Sequence, residues 1–306
     1  MTERASVAEP EQLAAAFERH RNHLQHVAYA MLGSVTEAED VVQEAWLRLA
    51  RTPHADSIRD LRAWLTTTVS RLALDALGTA RARREQYVGP WLPEPLVTRG
   101  ESVAAAGAGL VANPADRVTL DESISMALLI VLERLSPAER TAFLLHDVFG
   151  FSFDQVAEVT GRSAAAARKL ATRARQDVDA GRPRYPPTRE QHAAVTTAFA
   201  TACTEGDLDL LMTLLDPDVV WRTDGGGKVS AALVIHHGAG KVARAMMALA
   251  RHIRGGYAAD VNGAPGLVLG DRFGFLSVIS LTVDAGRIVA IDIVRNPDKL
   301  ATVPAP

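Results

Sequence analysis

Between Glu11 and Arg84, apolar residues return at steps of three and four: Leu13, Phe17, Leu24, Val27, Ala28, Met31. That is the period of helices buried along one side. Gly33-Ser34-Val35-Thr36 interrupts the pattern, and Thr36 followed by Glu39 predicts a capping box opening a helix through Ala50. A third helix is predicted from Leu61 to Arg84. The next stretch, Gly89 to Pro95 (GPWLPEP), holds prolines 90, 93 and 95, and small residues and glycines follow to Asp116. Such composition predicts a linker. Helical spacing returns from Val118 to Ala180, with a start at Ser136-Pro137 and breaks at Gly150 and Gly161. GRPRYPPT (Gly181 to Thr188) closes that stretch. Beyond it the texture changes: two helices (Glu190 to Thr204, Leu208 to Leu215), strand-like alternation, a helix near Lys241 to His252, then more strands. The last of these include FGFLSVISLTV and RIVAIDIV, the latter entered through the turn Asp284-Ala285-Gly286-Arg287.

The predicted layout is two all-α domains (1–85 and 118–180), linkers at 86–117 and 181–188, and an α+β domain at 189–306. A length of 306 residues agrees with two or three domains. With 48% hydrophobic and 23% charged residues, the chain is neither disordered nor collagenous. No apolar run reaches the roughly 18 residues of a membrane span, and the N-terminus lacks the apolar core of a secretion signal. One cysteine, Cys203, allows no internal disulfide and no thiolate cage, which points to a reducing, cytoplasmic setting. A net charge of −3 argues against a wholly basic nucleic-acid coat but leaves room for local basic patches.

One such patch is clear. In FSFDQVAEVTGRSAAAARKLATRARQDV, Phe153, Val156, Ala157 and Val159 form the apolar side of a short helix, Gly161 suits a tight turn, and Ser163 caps a second helix. That helix turns Ala167, Leu170, Ala171 and Ala174 inward and Arg168, Lys169, Arg173 and Arg175 outward. From Arg162 to Arg184, seven Arg and Lys stand against Asp177 and Asp179, a local net of +5. A helix-turn-helix with a basic second helix would read bases near Ser163 to Arg168 and hold phosphates through Arg173 and Arg175. The alternative is a solvated helix of a bundle.

In the first domain, Asp40, Gln43, Glu44 and Arg48 share a helix face beside Trp46 and Leu47. Carboxylates beside an aromatic suit a protein interface, although Trp46 and Leu47 equally suit a core. Arg71, Arg81, Arg83 and Arg84 supply cations to a helix bearing Trp64 and three threonines, a combination that suits unstacked bases and phosphates.

The order of these parts resembles the extracytoplasmic-function sigma factors of bacterial RNA polymerase. DVVQEAWLRL is similar to their helix for the β′ clamp, WLTTTVSRLALDAL…RARRE to their −10 recognition helix, and LSPAERTAF…LATRAR to their −35-binding domain. Gly78-Thr79 stands where a basic residue is commoner. WLPEPL (Trp91, Leu92, Pro93, Glu94, Pro95, Leu96), DGGGK (Asp224, Gly225, Gly226, Gly227, Lys228) and NPDKL (Asn296, Pro297, Asp298, Lys299, Leu300) resemble signatures of the sigma factor J-type subgroup, which carries a SnoaL-like extension. The resemblance implies core RNA polymerase (β′ clamp and β subunit) and promoter DNA as partners, a SnoaL/NTF2-like cone fold for the third domain, and no cofactor. Asp40, Gln43, Glu44, Trp46 and Leu47 would grip the clamp. Trp64, Arg71, Arg81, Arg83 and Arg84 would meet the −10 element, and Arg162, Ser163, Arg168, Lys169, Arg173 and Arg175 the −35 element.

Relatives of the SnoaL-like fold isomerise or cyclise small molecules with a buried Asp or His, so Asp224, His236, His237, Asp271 and Asp292 are candidate bases. His236 and His237, adjacent on a strand, point to opposite faces, and Asp224 at a glycine-rich turn reads as a surface carboxylate. DGGGK lacks Walker spacing. It reads as a phosphate cradle, a free loop, or, following the resemblance, a contact loop toward the sigma domains or polymerase. Leu300 is placed as an apolar plug, with a frayed tail as the alternative. The favoured function is therefore a non-enzymatic sigma factor that regulates itself through its third domain, which has room for a small ligand. The alternatives are a helix-turn-helix regulator with a ligand pocket and a fused isomerase or cyclase.

Overall fold

The computed structural model describes residues 10–99 and 124–306. The described chain divides into two compact units: residues 10–82 with 131–180, and residues 83–99 with 124–130 and 181–306. As predicted, two helical blocks precede an α+β domain.

In the first unit, α1 (Pro10–Leu32) packs on α2 (Val35–Arg51), burying Phe17, Leu24, Val27 and Met31 against Val42, Ala45 and Leu49. The cap of α2 is Ser34, whose hydroxyl accepts from the Glu37 N–H at 3.3 Å, two residues before the predicted Thr36. Gly33 (φ 69°) ends α1 in the left-handed region, so the next extended residue, Ser34, precedes the free N–H groups. Helix α3 (Leu61–Glu85) buries Leu65, Val69, Ala73 and Leu77. After α4 (Met126–Leu132), Ser136 opens α5 (Pro137–Phe143) with a full capping box to Glu139. A π-turn, Leu144–Val148, leads to α6 (Phe153–Thr160), and Gly161 (φ 65°) turns the chain into α7 (Ala164–Gly181). The two helical blocks touch within this unit. Arg140, 2% exposed, pairs with Glu133 and donates to the Ala30 carbonyl at 3.0 Å, and Arg71 donates to Glu158 at 3.1 Å.

In the second unit, α8 (Arg189–Glu205), α9 (Leu208–Leu214) and α10 (Ala239–Ala250) pack against strands β2 (Leu215–Asp224), β3 (His236–His237), β4 (Ile253–Val261), β5 (Ala264–Asp271), β6 (Leu276–Asp284) and β7 (Arg287–Val294). A further strand, β1 (Val97–Arg99), comes from the segment predicted as linker and pairs antiparallel with β4. The sheet order is β1-β4-β5-β6-β7-β2-β3, with β2 and β7 parallel and the other pairs antiparallel.

Strand alternation gives the sheet two apolar faces. Leu267, Ile279, Leu281, Ile291 and Ile293 meet Phe199, Leu211, Val242 and Met246 of the helices. Val261, Val268, Val278 and Val294 on the opposite face would face water in a bare sheet. Here Leu92, Met126, Ile130, Leu300 and Val303 cover them. This second core explains why composition misleads for residues 86–99. The prolines remove donors and stiffen the segment, and both Pro93 and Pro95 are buried beside a Leu92 that is 1% exposed. Among the described residues, no helix is long and apolar enough to cross a membrane.

Leu92→Ala removes a side chain whose whole surface lies in that second core. It is expected to destabilise the second unit by about 2–5 kcal/mol in urea unfolding and to speed proteolysis within residues 86–99. An unchanged unfolding midpoint would show that the segment is not part of the folded core.

Candidate functional site

The three sequence signatures meet at one carboxylate. Asp224 ends β2 at 0% exposure. It accepts from the Tyr87 hydroxyl (2.6 Å), the Leu92 N–H (2.9 Å), the Lys299 ammonium (2.7 Å) and the Gly226 N–H (3.1 Å). Its own carbonyl accepts from the N–H groups of Arg295 (2.7 Å) and Asn296 (3.0 Å). The expectation of a surface turn carboxylate is thus corrected: the chain folds a lid over the turn, and every acceptor position of the carboxylate is used.

Around it, Asn296 donates to the Tyr87 oxygen at 2.8 Å and accepts from the Asp298 N–H, which fixes the turn Pro297–Lys299. Lys299 also donates to the Leu92 carbonyl, and its ammonium lies 4.0 Å from the Trp91 ring centroid. The Arg84 guanidinium stands 3.6 Å from the same ring. Glu94 is buried and adds negative potential at Lys299. Burial holds the Lys299 ammonium below its usual pKa, and Asp224 offsets part of that shift. Burial, followed by the bond to Asp224, pushes the Tyr87 phenol up.

The glycines of DGGGK fit this closure. A Cβ on Gly226 (φ 63°) would stand 2.5 Å from the Asn296 side chain, and one on Gly225 2.6 Å from Ala231. The N–H of Gly226 is held by Asp224, and those of Lys228 and Val229 by the Gly225 carbonyl, so these three donors are already used within the loop. Lys228 pairs with Asp298 in solvent. Leu300 is 4% exposed.

The three candidate aspartates are paired or fully bonded, and His236 is stacked. Asp292 is clamped by Arg222 (2.5 and 3.1 Å), with burial raising its pKa and Arg222 lowering it. Asp271 pairs with Arg295 at 2.5 Å. His236 stacks on Trp221, centroids 4.8 Å apart, while His237 is exposed.

In the first unit, Asp40, Gln43 and Leu47 are exposed on one face of α2, and Glu44 bonds Arg48. Trp46 is half-buried against the Phe17 ring, 5.1 Å away. On α3, Trp64 is half-buried, Arg71 is tied to Glu158, and Arg83 is exposed; the side chain of Arg81 lies outside the described residues. Arg84 stacks on Trp91, so the structure places it in the second unit's cluster. On the helix-turn-helix, Ser163 accepts from the Ala166 N–H (3.2 Å), and Arg162, Arg168, Lys169, Arg173 and Arg175 are all exposed. Arg168 lies over the Phe153 ring, and Arg175 pairs with Asp147 of the π-turn at 2.5 Å. Sequence reasoning missed Tyr87 and Arg140. Neither stands in a motif, because their roles arise from partners 137 and 110 residues away.

Both helical blocks match models of bacterial transcription initiation factors: sigma-70 region 2 over residues 16–83 and sigma-70 region 4 over residues 125–178. The chain is 41% identical to the ECF RNA polymerase sigma factor SigJ of Mycobacterium tuberculosis, with 94% of this chain and 93% of that protein covered. It is 37% identical to the probable sigma factor SigI of the same organism over 94% of both. The crystal structure of SigJ superposes with a TM-score of 0.76 at 39% identity, covering 95% of this chain and 99% of the other. The first 180 residues thus define a sigma-70-type protein. Within that class, the chain belongs to the extracytoplasmic-function sigma factors, with a SnoaL-like extension as the sequence predicts, and acts as an alternative sigma factor in transcription initiation.

Asp224→Asn leaves the Lys299 ammonium buried without its counter-charge and is expected to cost about 3–5 kcal/mol. In the native protein the lowered Lys299 pKa means that the unfolded chain holds that proton to higher pH. The Lys299 contribution to stability therefore rises with pH between its native pKa and its ordinary value of 10.5, against the opposite contribution of the raised Tyr87 phenol as the pH nears 10. In Asp224→Asn this rise should begin at lower pH, because the opposing pull of Asp224 is gone. Urea titrations from pH 7 to pH 10 measure both effects; parallel pH profiles for the two proteins would refute the coupling.

Proposed function

We propose that the C-terminal domain is a clasp that regulates this sigma factor in place of a separate inhibitor. The observation that carries the reading is that the chain just after region 2 and the chain at the start of region 4 are both held by that domain. Tyr87 and Leu92 dock just after region 2, and Met126 and Ile130 dock at the start of region 4. Regions 2 and 4 meanwhile share one compact unit, joined through Arg140 to Ala30 and Arg71 to Glu158.

Reading −10 and −35 elements together requires a separation of roughly one and a half DNA turns, near 50 Å at about 34–36 Å per turn. Residues 86–117 number 32, with a free r.m.s. span of about 30 Å and an extended limit of about 105 Å. Docking residues 86–99 withdraws part of that reach. The closed arrangement therefore competes with promoter binding, and polymerase must favour the open one. Binding the two states equally would shift nothing.

In the open state, Asp40, Gln43, Glu44 and Leu47 take the β′ clamp, with Trp46 bracing the helix from beneath. Trp64, Arg71, Arg81 and Arg83 face the −10 element, and region 4 meets the β subunit and the −35 element through Arg162, Ser163, Arg168, Lys169, Arg173 and Arg175. Arg71 must leave Glu158 to do so, which ties DNA contact to opening. Arg84 serves the clasp, stacked on Trp91. The reading gives the C-terminal domain no reaction of its own, in keeping with three candidate aspartates that are paired or fully bonded and a His236 that is stacked, and places the protein in the cytoplasm beside its polymerase. A small ligand would act by biasing the clasp.

Transcription in vitro with core polymerase is expected to differ strongly between the whole chain and a version ending at Arg182. Leu92→Ala and Asp224→Asn in the whole chain should shift output in the same direction as the truncation. Equal output from all four proteins would sink the regulatory role. Separately, Arg173→Ala is expected to lower the slope of log K against log salt by about 0.9 on duplex promoter DNA. A slope equal to the parent's would remove Arg173 from the phosphate contacts.

A further inference from the structure

The start of β4 and the β5–β6 turn form a cationic, aromatic surface at one end of the C-terminal sheet. Ile253 pairs with Asp271, and the Arg272 N–H donates to the His252 carbonyl at 2.9 Å. Asp271, buried and held by Arg295, accepts from the N–H groups of Phe273 (2.8 Å) and Phe275 (3.0 Å). This carboxylate fixes the turn from inside, while the Phe273 and Phe275 rings point outward at 62% and 38% exposure. The Arg272 guanidinium lies 4.8 Å from the Phe273 centroid, and the His252 ring lies 5.9 Å from it.

Arg251 and Arg254 are exposed at the same end, and Arg251 lines an open groove of about 470 Å³ with Arg244, Glu205 and Met247. Elsewhere in the domain Arg189, Arg222, Arg295 and Lys299 each hold a carboxylate. Among the described residues, Arg244, Arg251, Arg254 and Arg272 hold none. The acid inside the turn, Asp271, is committed to Arg295, leaving Glu205 at the groove.

Two ring faces fixed in solvent beside unneutralised guanidinium groups suit unstacked bases joined by phosphates. The other exposed apolar run, Leu233 to Ile235, is aliphatic, and the nearest cation in sequence, Lys228, is paired with Asp298, so it offers neither stacking nor free charge. Position along the chain supports a DNA partner. Tyr87 docks on this domain two residues beyond α3, the helix matched to region 2.

We propose that Phe273, Phe275, Arg251, Arg254 and Arg272 bind single-stranded DNA, the strand unpaired when a promoter opens. This rests on the sigma-factor family and is independent of the clasp, whose failure would appear in the truncation experiment. The test uses the full chain and fluorescein-labelled twenty-residue oligothymidylate, with a mixed-sequence duplex of equal length as the comparison. Phe273→Ala with Phe275→Ala should weaken oligothymidylate binding about tenfold or more and leave duplex binding within twofold. Arg251→Ala, Arg254→Ala and Arg272→Ala together should lower its salt slope by about 2. With p-benzoylphenylalanine replacing Phe273, irradiation in the presence of both core polymerase and oligothymidylate should crosslink the protein to the oligonucleotide. Crosslinks to a polymerase subunit alone, or no crosslink together with parental affinities for both sets of variants, would overturn the proposal.

Discussion

A carboxylate with no exposure to water has to find its hydrogen-bond donors inside the protein, and Asp224 finds them in three remote stretches of chain. Burying the charge is unfavourable alone. It becomes tolerable because Tyr87, the Leu92 N–H, the Gly226 N–H and Lys299 converge on it. Lys299 is in turn held by the Leu92 carbonyl and two aromatic rings. Removing any one of the remote donors leaves part of the buried charge without its partner. The connector, the glycine loop and the C-terminal turn therefore dock together, which is the cooperative behaviour a clasp requires.

The apolar core beneath this hub gives the docking its strength. An α+β domain with helices on one face leaves the other face of its sheet to be covered. Leu92 covers it from the connector, Met126 and Ile130 from the start of region 4, and Leu300 and Val303 from the C-terminal tail. Burial on this scale contributes roughly 1.5–3 kcal/mol per large side chain, while the polar hub fixes where the segment sits. In the proposed clasp, regulation and folding would use the same contacts, since freeing the connector exposes a face of the sheet. The turn that carries Phe273 and Arg272 lies at the same end of the sheet, joined to the hub through Arg295, whose guanidinium holds Asp271 and whose N–H donates to the Asp224 carbonyl.

Much of this was legible in the residues. Helical periods, the Ser136 cap, Gly161 and the Asp284–Arg287 turn follow local backbone rules, and they appear where the spacing puts them. The inward alanines and outward arginines of α7 follow from helix period alone. The resemblance of WLPEPL, DGGGK and NPDKL to signatures of one subgroup marked those segments as belonging together in function, without saying what physically joined them.

Proximity between distant segments could not be read in that way. Proline and glycine content made residues 86–99 look like a spacer, yet a stiff segment without donors is well suited to lie across an apolar sheet face once that face exists. Asp224 looked like a turn residue because its burial depends on a lid 132 residues earlier in the chain, and Tyr87 carried no signal at all. Sequence by itself determined the elements, their order and the family, because those follow from periodicity, caps and motif chemistry within short windows. Only the tertiary structure decided which carboxylate is buried, which arginines are neutralised and which cations stay free, because each depends on atoms that come together only when the whole chain has folded.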